Sequence, residues 1–173
     1  MKKIINNKKT GFTLIEFIFY IGLFAVFFVS LFFVLDIFYK NKIKNRSVLE
    51  VEQQGIIISQ IISQEIRNAQ LINLPLLADS GDVLSLSAFS PLRDPIIFQV
   101  VDGKIIVEEG AGSGVNLSSD RIIIENLIFT NNSVVGGVSS VSFSFSVLYR
   151  SDSKTTEYQY SKDFFGTANL NIK

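Results

Sequence analysis

Hydrophobic and polar positions divide the chain into three stretches of different texture. From Phe17 to Leu35, 19 consecutive residues carry no charge, and seven of them are Phe. A helix needs roughly 20 apolar residues to cross the hydrocarbon core of a bilayer. A chain of 173 residues is too short to surround such a helix with apolar partners on every side, so the run is predicted to span a membrane. No proline precedes Pro75, and Gly22 is the only weak point of the span. Next, Val48, Val51, Gly55, Ile58, Ile62, Ile66 and Ala69 recur at steps of three and four, opposite Glu52, Gln53, Ser59, Gln60, Ser63, Gln64 and Arg67. That is the period of an amphipathic helix packed under a core. A single helix from Phe12 to Ala69 would be about 87 Å long at 1.5 Å per residue.

From Leu71 onward the period changes to two. Val83 to Phe89 alternates Leu with Ser, and Ile96–Val101, Asp102-Gly103 and Lys104–Val107 read as a hairpin on a type I′ turn. Arg121–Thr130 is predicted as a strand. Val138–Tyr149 is another, with Val141, Phe143, Phe145 and Val147 on one face and Ser142, Ser144 and Ser146 on the other, and Thr155–Tyr160 is a last strand. The whole predicts an α+β fold: a long N-terminal helix whose second half covers one face of an antiparallel sheet. The expected organisation is a leader at 1–11, a spanning helix at 12–35, an amphipathic extension at 36–70 and a β-rich head at 71–173.

Composition removes most catalytic chemistry. The chain has no His, no Cys and no Trp, so it offers no Ser-His or Cys-His pair, no zinc cage and no disulfide. No enzyme activity, cofactor or metal is expected. Asp79 with Asp82, or Glu108 with Glu109, have the oxygen chemistry of calcium ligands but not the number or spacing, and turn chemistry accounts for them. Adjacent Glu108 and Glu109 would also point to opposite faces of a strand. The Asn-x-Ser triplets at Asn45, Asn116 and Asn131 are chance matches. Sixteen Lys+Arg balance 16 Asp+Glu, which gives no overall field for nucleic acid, and no direct nucleic-acid contact is expected. Orientation is not readable from charge, because Lys2, Lys3, Lys8 and Lys9 face Lys40, Lys42, Lys44 and Arg46 across the span. The second group is read as an interfacial anchor to lipid headgroups, the alternative being pairing with acids on a neighbouring subunit.

Directly before the apolar run stands Lys8-Lys9-Thr10-Gly11-Phe12-Thr13-Leu14-Ile15-Glu16. This resembles the processing site of type IV pilins and type II secretion pseudopilins: a short basic leader with Lys8 and Lys9, a glycine, an aromatic residue and a glutamate at the fifth mature position. The resemblance implies that a prepilin peptidase cuts between Gly11 and Phe12 on the cytoplasmic side and that Phe12 becomes the N-methylated terminus. It further implies that Glu16, the only charge from Phe12 to Leu35, meets the freed amine of a neighbouring subunit during filament assembly. A carboxylate in the bilayer is costly and needs such a partner. A glycine at the cut suits an extended backbone in a narrow peptidase cleft.

The layout of the remainder, with the run Ile62 to Ala69 leading into a β-rich head, resembles J-type minor pseudopilins and W-type minor pilins, which sit in a tip complex that starts assembly. The partners so implied are the prepilin peptidase, other pilins or pseudopilins, the inner-membrane assembly platform and membrane lipid. The location implied is a single-pass inner-membrane protein with its head outside the cytoplasm, later part of a pilus or pseudopilus. Major pilins of this group usually carry a disulfide or a proline-kinked helix, and this chain has neither a cysteine nor a proline in the span; a major pilin is the lesser alternative. Loss of the first 11 residues removes four of the 16 basic residues, leaving 12 against 16 acids and a net charge of −4. A membrane-anchored β domain with a ligand- or partner-binding role, in which the hexapeptide is incidental, is the alternative from a different class.

Overall fold

The computed structural model describes residues 13–150 and 160–171. One helix, α1 (Leu14–Asn68), is followed by nine strands: β1 (Leu71–Leu74), β2 (Ser80–Gly81), β3 (Leu84–Ser87), β4 (Ile96–Val101), β5 (Lys104–Glu109), β6 (Val115–Asn116), β7 (Ile122–Asn131), β8 (Ser140–Tyr149) and β9 (Ser161–Asn169). The chain separates into two compact units, Met1–Lys42 and Ile43–Lys173. The fold class is α+β, with a long N-terminal helix packed on antiparallel sheet.

Within the second unit the helix buries the stripe that its period predicts. Val51, Ile58, Ile62 and Ile66 are fully buried, whereas Gln53, Gln60 and Gln64 face solvent. The strands form two sheets where one was expected: a five-stranded sheet in the order β1-β3-β4-β5-β6 and a four-stranded sheet in the order β2-β7-β8-β9. Every pairing is antiparallel. Within each sheet most neighbours are also sequential, β3-β4-β5-β6 in one and β7-β8-β9 in the other. One backbone bond joins the sheets where they meet, from the Ile124 N–H to the Gly103 carbonyl at 2.8 Å. A single core results, in which helix residues pack with Leu84, Leu86 and Phe98 of one sheet and Phe129, Phe145 and Val147 of the other.

The β4–β5 hairpin is as expected. Val101 pairs with Lys104, and the two turn residues Asp102 and Gly103 have φ of 52° and 71°, the left-handed pair that a type I′ turn requires. Alternation in β8 is also as expected, with Val141, Phe143, Phe145 and Val147 buried. The rings of Phe143, Phe145 and Phe164 form a stack with centroids 6.3 and 5.6 Å apart. Of the expected strand Thr155–Tyr160, residues 155–159 lie outside those described; the strand β9 over Ser161–Asn169 was not predicted. Its inward positions Phe164, Gly166 and Ala168 are mostly small, and its composition is poor in β-branched residues, so it lacks the usual strand signal.

Two of the Asn-x-Ser triplets have a structural use. Asn116 Oδ1 accepts the Ser118 N–H at 2.9 Å, and Asn131 Oδ1 accepts the Ser133 N–H at 3.1 Å. Both are Asx turns, in which the side chain mimics a backbone acceptor two residues back. Asn131 is buried and its amide also donates to the Pro75 carbonyl at 2.9 Å, fastening the β1–β2 connection to β7.

Candidate functional site

The N-terminal stretch is the candidate site. Lys8, Lys9, Gly11 and Phe12 lie outside the described residues. Thr13 precedes the first turn of α1, and its hydroxyl accepts the Glu16 N–H at 3.4 Å. This is an N-cap, in which the hydroxyl satisfies one of the backbone donors left open at a helix start. Thr13 and Glu16 also have the spacing of a capping box, Thr-x-x-Glu. The structure thus gives Thr13 a use that the processing motif alone does not supply. Glu16 occupies the first turn of the helix and is exposed. A carboxylate there is favoured by the positive end of the helix dipole, and it forms no ion pair among the described residues.

Beyond Glu16 the helix is apolar on all sides and buries none of it. Described residues from Thr13 to Lys42 are all exposed, with Ile15 at 77% and Phe33 at 69%. The 18-residue window that qualifies as a membrane span is 0% buried. Such a helix requires lipid or other helices around it, since contiguous apolar surface of this extent is not stable in water. The helix is therefore long and apolar enough to cross a membrane, and it is the one such helix among the described residues. Asp36 and Lys40 form an i,i+4 ion pair at 2.8 Å near its far end, both side chains more than half exposed. This pairing is local, unlike either role considered for Lys40 from sequence, and exposed pairs of this type contribute only a few tenths of a kcal/mol.

Three acids on the helix flanks tie the second unit together, a role not assigned to them from sequence. Glu52 accepts from Lys162 at 2.8 Å, and Glu50 accepts the Ser119 hydroxyl at 3.0 Å. Glu65 shares Arg93 with Glu109: the guanidinium donates to both Glu109 oxygens at 2.8 and 2.6 Å and to Glu65 Oε1 at 3.1 Å. The fork geometry of arginine makes this two-carboxylate clamp possible. A cavity of about 380 Å³ opens beside it, lined by Arg67, Phe89 and Ser90 among others. Hydrogen bonds from Arg93 hold the Glu109 carboxyl below its ordinary value near 4.5. Glu108 turns instead to Gln99, accepting its amide at 3.0 Å, and Asp79 accepts the Ser80 N–H at 2.8 Å. Among the described residues no three of His, Cys, Asp and Glu come together as a metal site.

Arg93→Ala is expected to lower the stability of the head by about 1–2 kcal/mol. The exposed Glu109 pair supplies less than half of this, and the loss of the donor to Glu65 supplies the rest. The Glu65 side chain is only 16% exposed, and its second oxygen is already buried without a partner among the described residues. Because the Glu109 carboxyl is depressed in the folded state, its share is present above the ordinary carboxylate value and lost as pH falls through the depressed one. Thermal unfolding of both proteins at pH 7 and at pH 3 checks this: the difference in Tm narrows at the lower pH. No family model, curated protein or solved structure matches the chain.

Proposed function

We propose that the chain is a minor pilin or pseudopilin, a structural subunit that enters a type IV pilus or type II secretion pseudopilus through its N-terminal helix. The observation that carries the reading is the position of Glu16. It is the only charge between Phe12 and Leu35 and stands five residues after Gly11, behind the basic pair Lys8 and Lys9. Two features support it. The apolar helix after Glu16 is exposed on every side, as suits a segment stored in lipid and then transferred to a helical bundle. The head is a compact α+β unit whose helix residues are fixed to both sheets, as suits a body carried on that helix.

In this reading the leader is cut on the cytoplasmic side by prepilin peptidase and Phe12 is N-methylated. The Glu16 carboxylate then draws the subunit into the filament by neutralising the amine of a neighbour, with the head outside the cytoplasm. The layout of helix and β-rich head favours a J- or W-type subunit of the initiating tip. Intact mass and N-terminal sequence of the protein from membranes, with and without prepilin peptidase, provide the test. A chain beginning at methylated Phe12 only when the peptidase is present is the expected result. A chain that retains Met1 in both cases refutes the pilin reading and leaves a membrane-anchored β domain.

A further inference from the structure

The outer edge of the four-stranded sheet is long and regular, and no described residue pairs with it. β9 lies at the end of the order β2-β7-β8-β9 and has no strand on its other side among the described residues. Its register with β8 runs from Ser161 to Asn169 without a bulge, and it contains no proline. Edge strands are normally blunted by charges, bulges, prolines or a covering element, because their open N–H and C=O groups pair with any extended chain; Lys162 and Asp163 charge one end of β9, but Phe164 to Ala168 carry no charge. Phe165, at the middle of β9, is 81% exposed on the outer face.

The helix runs alongside this edge and leaves a trough beside it. Glu52 bonds Lys162, the Phe164 ring covers Gly55, and the Asn171 N–H donates to the Arg67 carbonyl, so α1 and β9 advance in the same direction. Between them is a groove of about 670 Å³, lined on the helix side by Ile56, Gln60, Ser63, Gln64 and Arg67 and on the strand side by residues 164–167. Arg67 is the only charged residue in its lining, and it forms no ion pair among the described residues.

We propose that β9 accepts an extended segment of a different polypeptide as a fifth strand, with a carboxylate of that segment over Arg67. Only a polypeptide backbone presents the alternating donors and acceptors that an open strand edge satisfies. The amide side chains of Gln60 and Gln64 and the Ser63 hydroxyl offer polar partners along the helix wall, and the lone guanidinium selects an acidic end. A second copy of this chain is the competing occupant of the same edge, and the test below separates the two. This inference does not depend on the pilin reading, since any membrane-anchored form of the chain carries the same edge.

The test uses the full chain in detergent micelles with labelled nonapeptides of alternating Val and Thr. Two carry Asp, at one end or the other, and two carry Lys in the same places. One of the Asp peptides is expected to bind and to slow hydrogen exchange of the β9 amides. Arg67→Glu should weaken that peptide about fivefold and favour its Lys counterpart. Arg67 is exposed at the end of the helix, so unchanged circular dichroism of the variant serves as the folding control. If none of the four peptides protects β9, or if Arg67→Glu leaves the preference unchanged, the proposal fails. Protection of β9 by self-association without peptide also overturns it in favour of a homodimer.

Discussion

Gly55→Leu is expected to destabilise the head by about 3 kcal/mol or more, although Leu is the better helix former by roughly 0.8 kcal/mol. The reason is the Phe164 ring, which occupies the space where a side chain would begin. A Cβ built on Gly55 would lie 2.1 to 2.5 Å from three of its ring carbons, well inside van der Waals contact. The ring has little freedom to withdraw. It stacks on Phe145 at 5.6 Å with planes 17° apart, and Phe145 is itself 1% exposed in the core. Any side chain at position 55 therefore either expels Phe164 and opens the stack or lifts the helix from β9, and close-packed interiors permit neither cheaply. Gly55→Ala should show the same sign with a smaller loss, and Phe164→Leu added to it should restore part of the stability by shortening the obstructing group. Thermal unfolding followed by near-ultraviolet circular dichroism, which reads the aromatic stack, checks the series. An alanine variant at least as stable as the parent would mean that helix propensity outweighs the contact.

The same glycine illustrates how much of the fold is legible from sequence. Its place on the apolar stripe with Val51, Ile58, Ile62 and Ile66 follows from helical periodicity, and that stripe is the buried one. The hairpin at Asp102-Gly103 was equally readable, because a type I′ turn needs two left-handed residues and few residue pairs supply them. What periodicity does not supply is the partner. Phe164 belongs to a strand whose residues Lys162, Asp163, Gly166 and Asn169 argue locally against a strand, and it forms only because β8 provides a nine-residue ladder. Tertiary pairing overrides weak local propensity here. The division into two sheets was hidden for a related reason: alternation reports which side of a strand is buried, not which strand lies beside it. The Arg93 clamp joins Glu65 to Glu109 across 44 positions of sequence, a separation at which no local pattern operates.

At the candidate site the balance is reversed. The residues that carry the proposed chemistry are contiguous, so the sequence displays them together, and the structure adds the Thr13 cap and the complete exposure of the apolar helix. Glu16→Ala accordingly separates two properties that the wild-type residue combines. Insertion into the membrane should not suffer, because a charged carboxylate in a span is costly, about 2.5–3.5 kcal/mol at the helix centre and less near an end, and alanine is not. Processing at Gly11–Phe12 should also continue, since the residues flanking the cut are unchanged. Assembly should fail. If Glu16 neutralises a neighbour's amine inside an apolar bundle, its removal leaves that amine buried and unpaired, at a cost of roughly 3–5 kcal/mol. That corresponds to a fall of about a hundredfold to a few thousandfold in incorporation. Glu16→Gln should fail nearly as completely, because the amide retains shape and hydrogen bonding but not charge, whereas Thr13→Ala should lose only the cap, about 1 kcal/mol. Quantifying processed subunit in sheared filaments against that in membranes distinguishes these outcomes. If Glu16→Ala enters filaments as efficiently as the parent, the carboxylate serves only the helix terminus and the assembly role assigned to it is wrong.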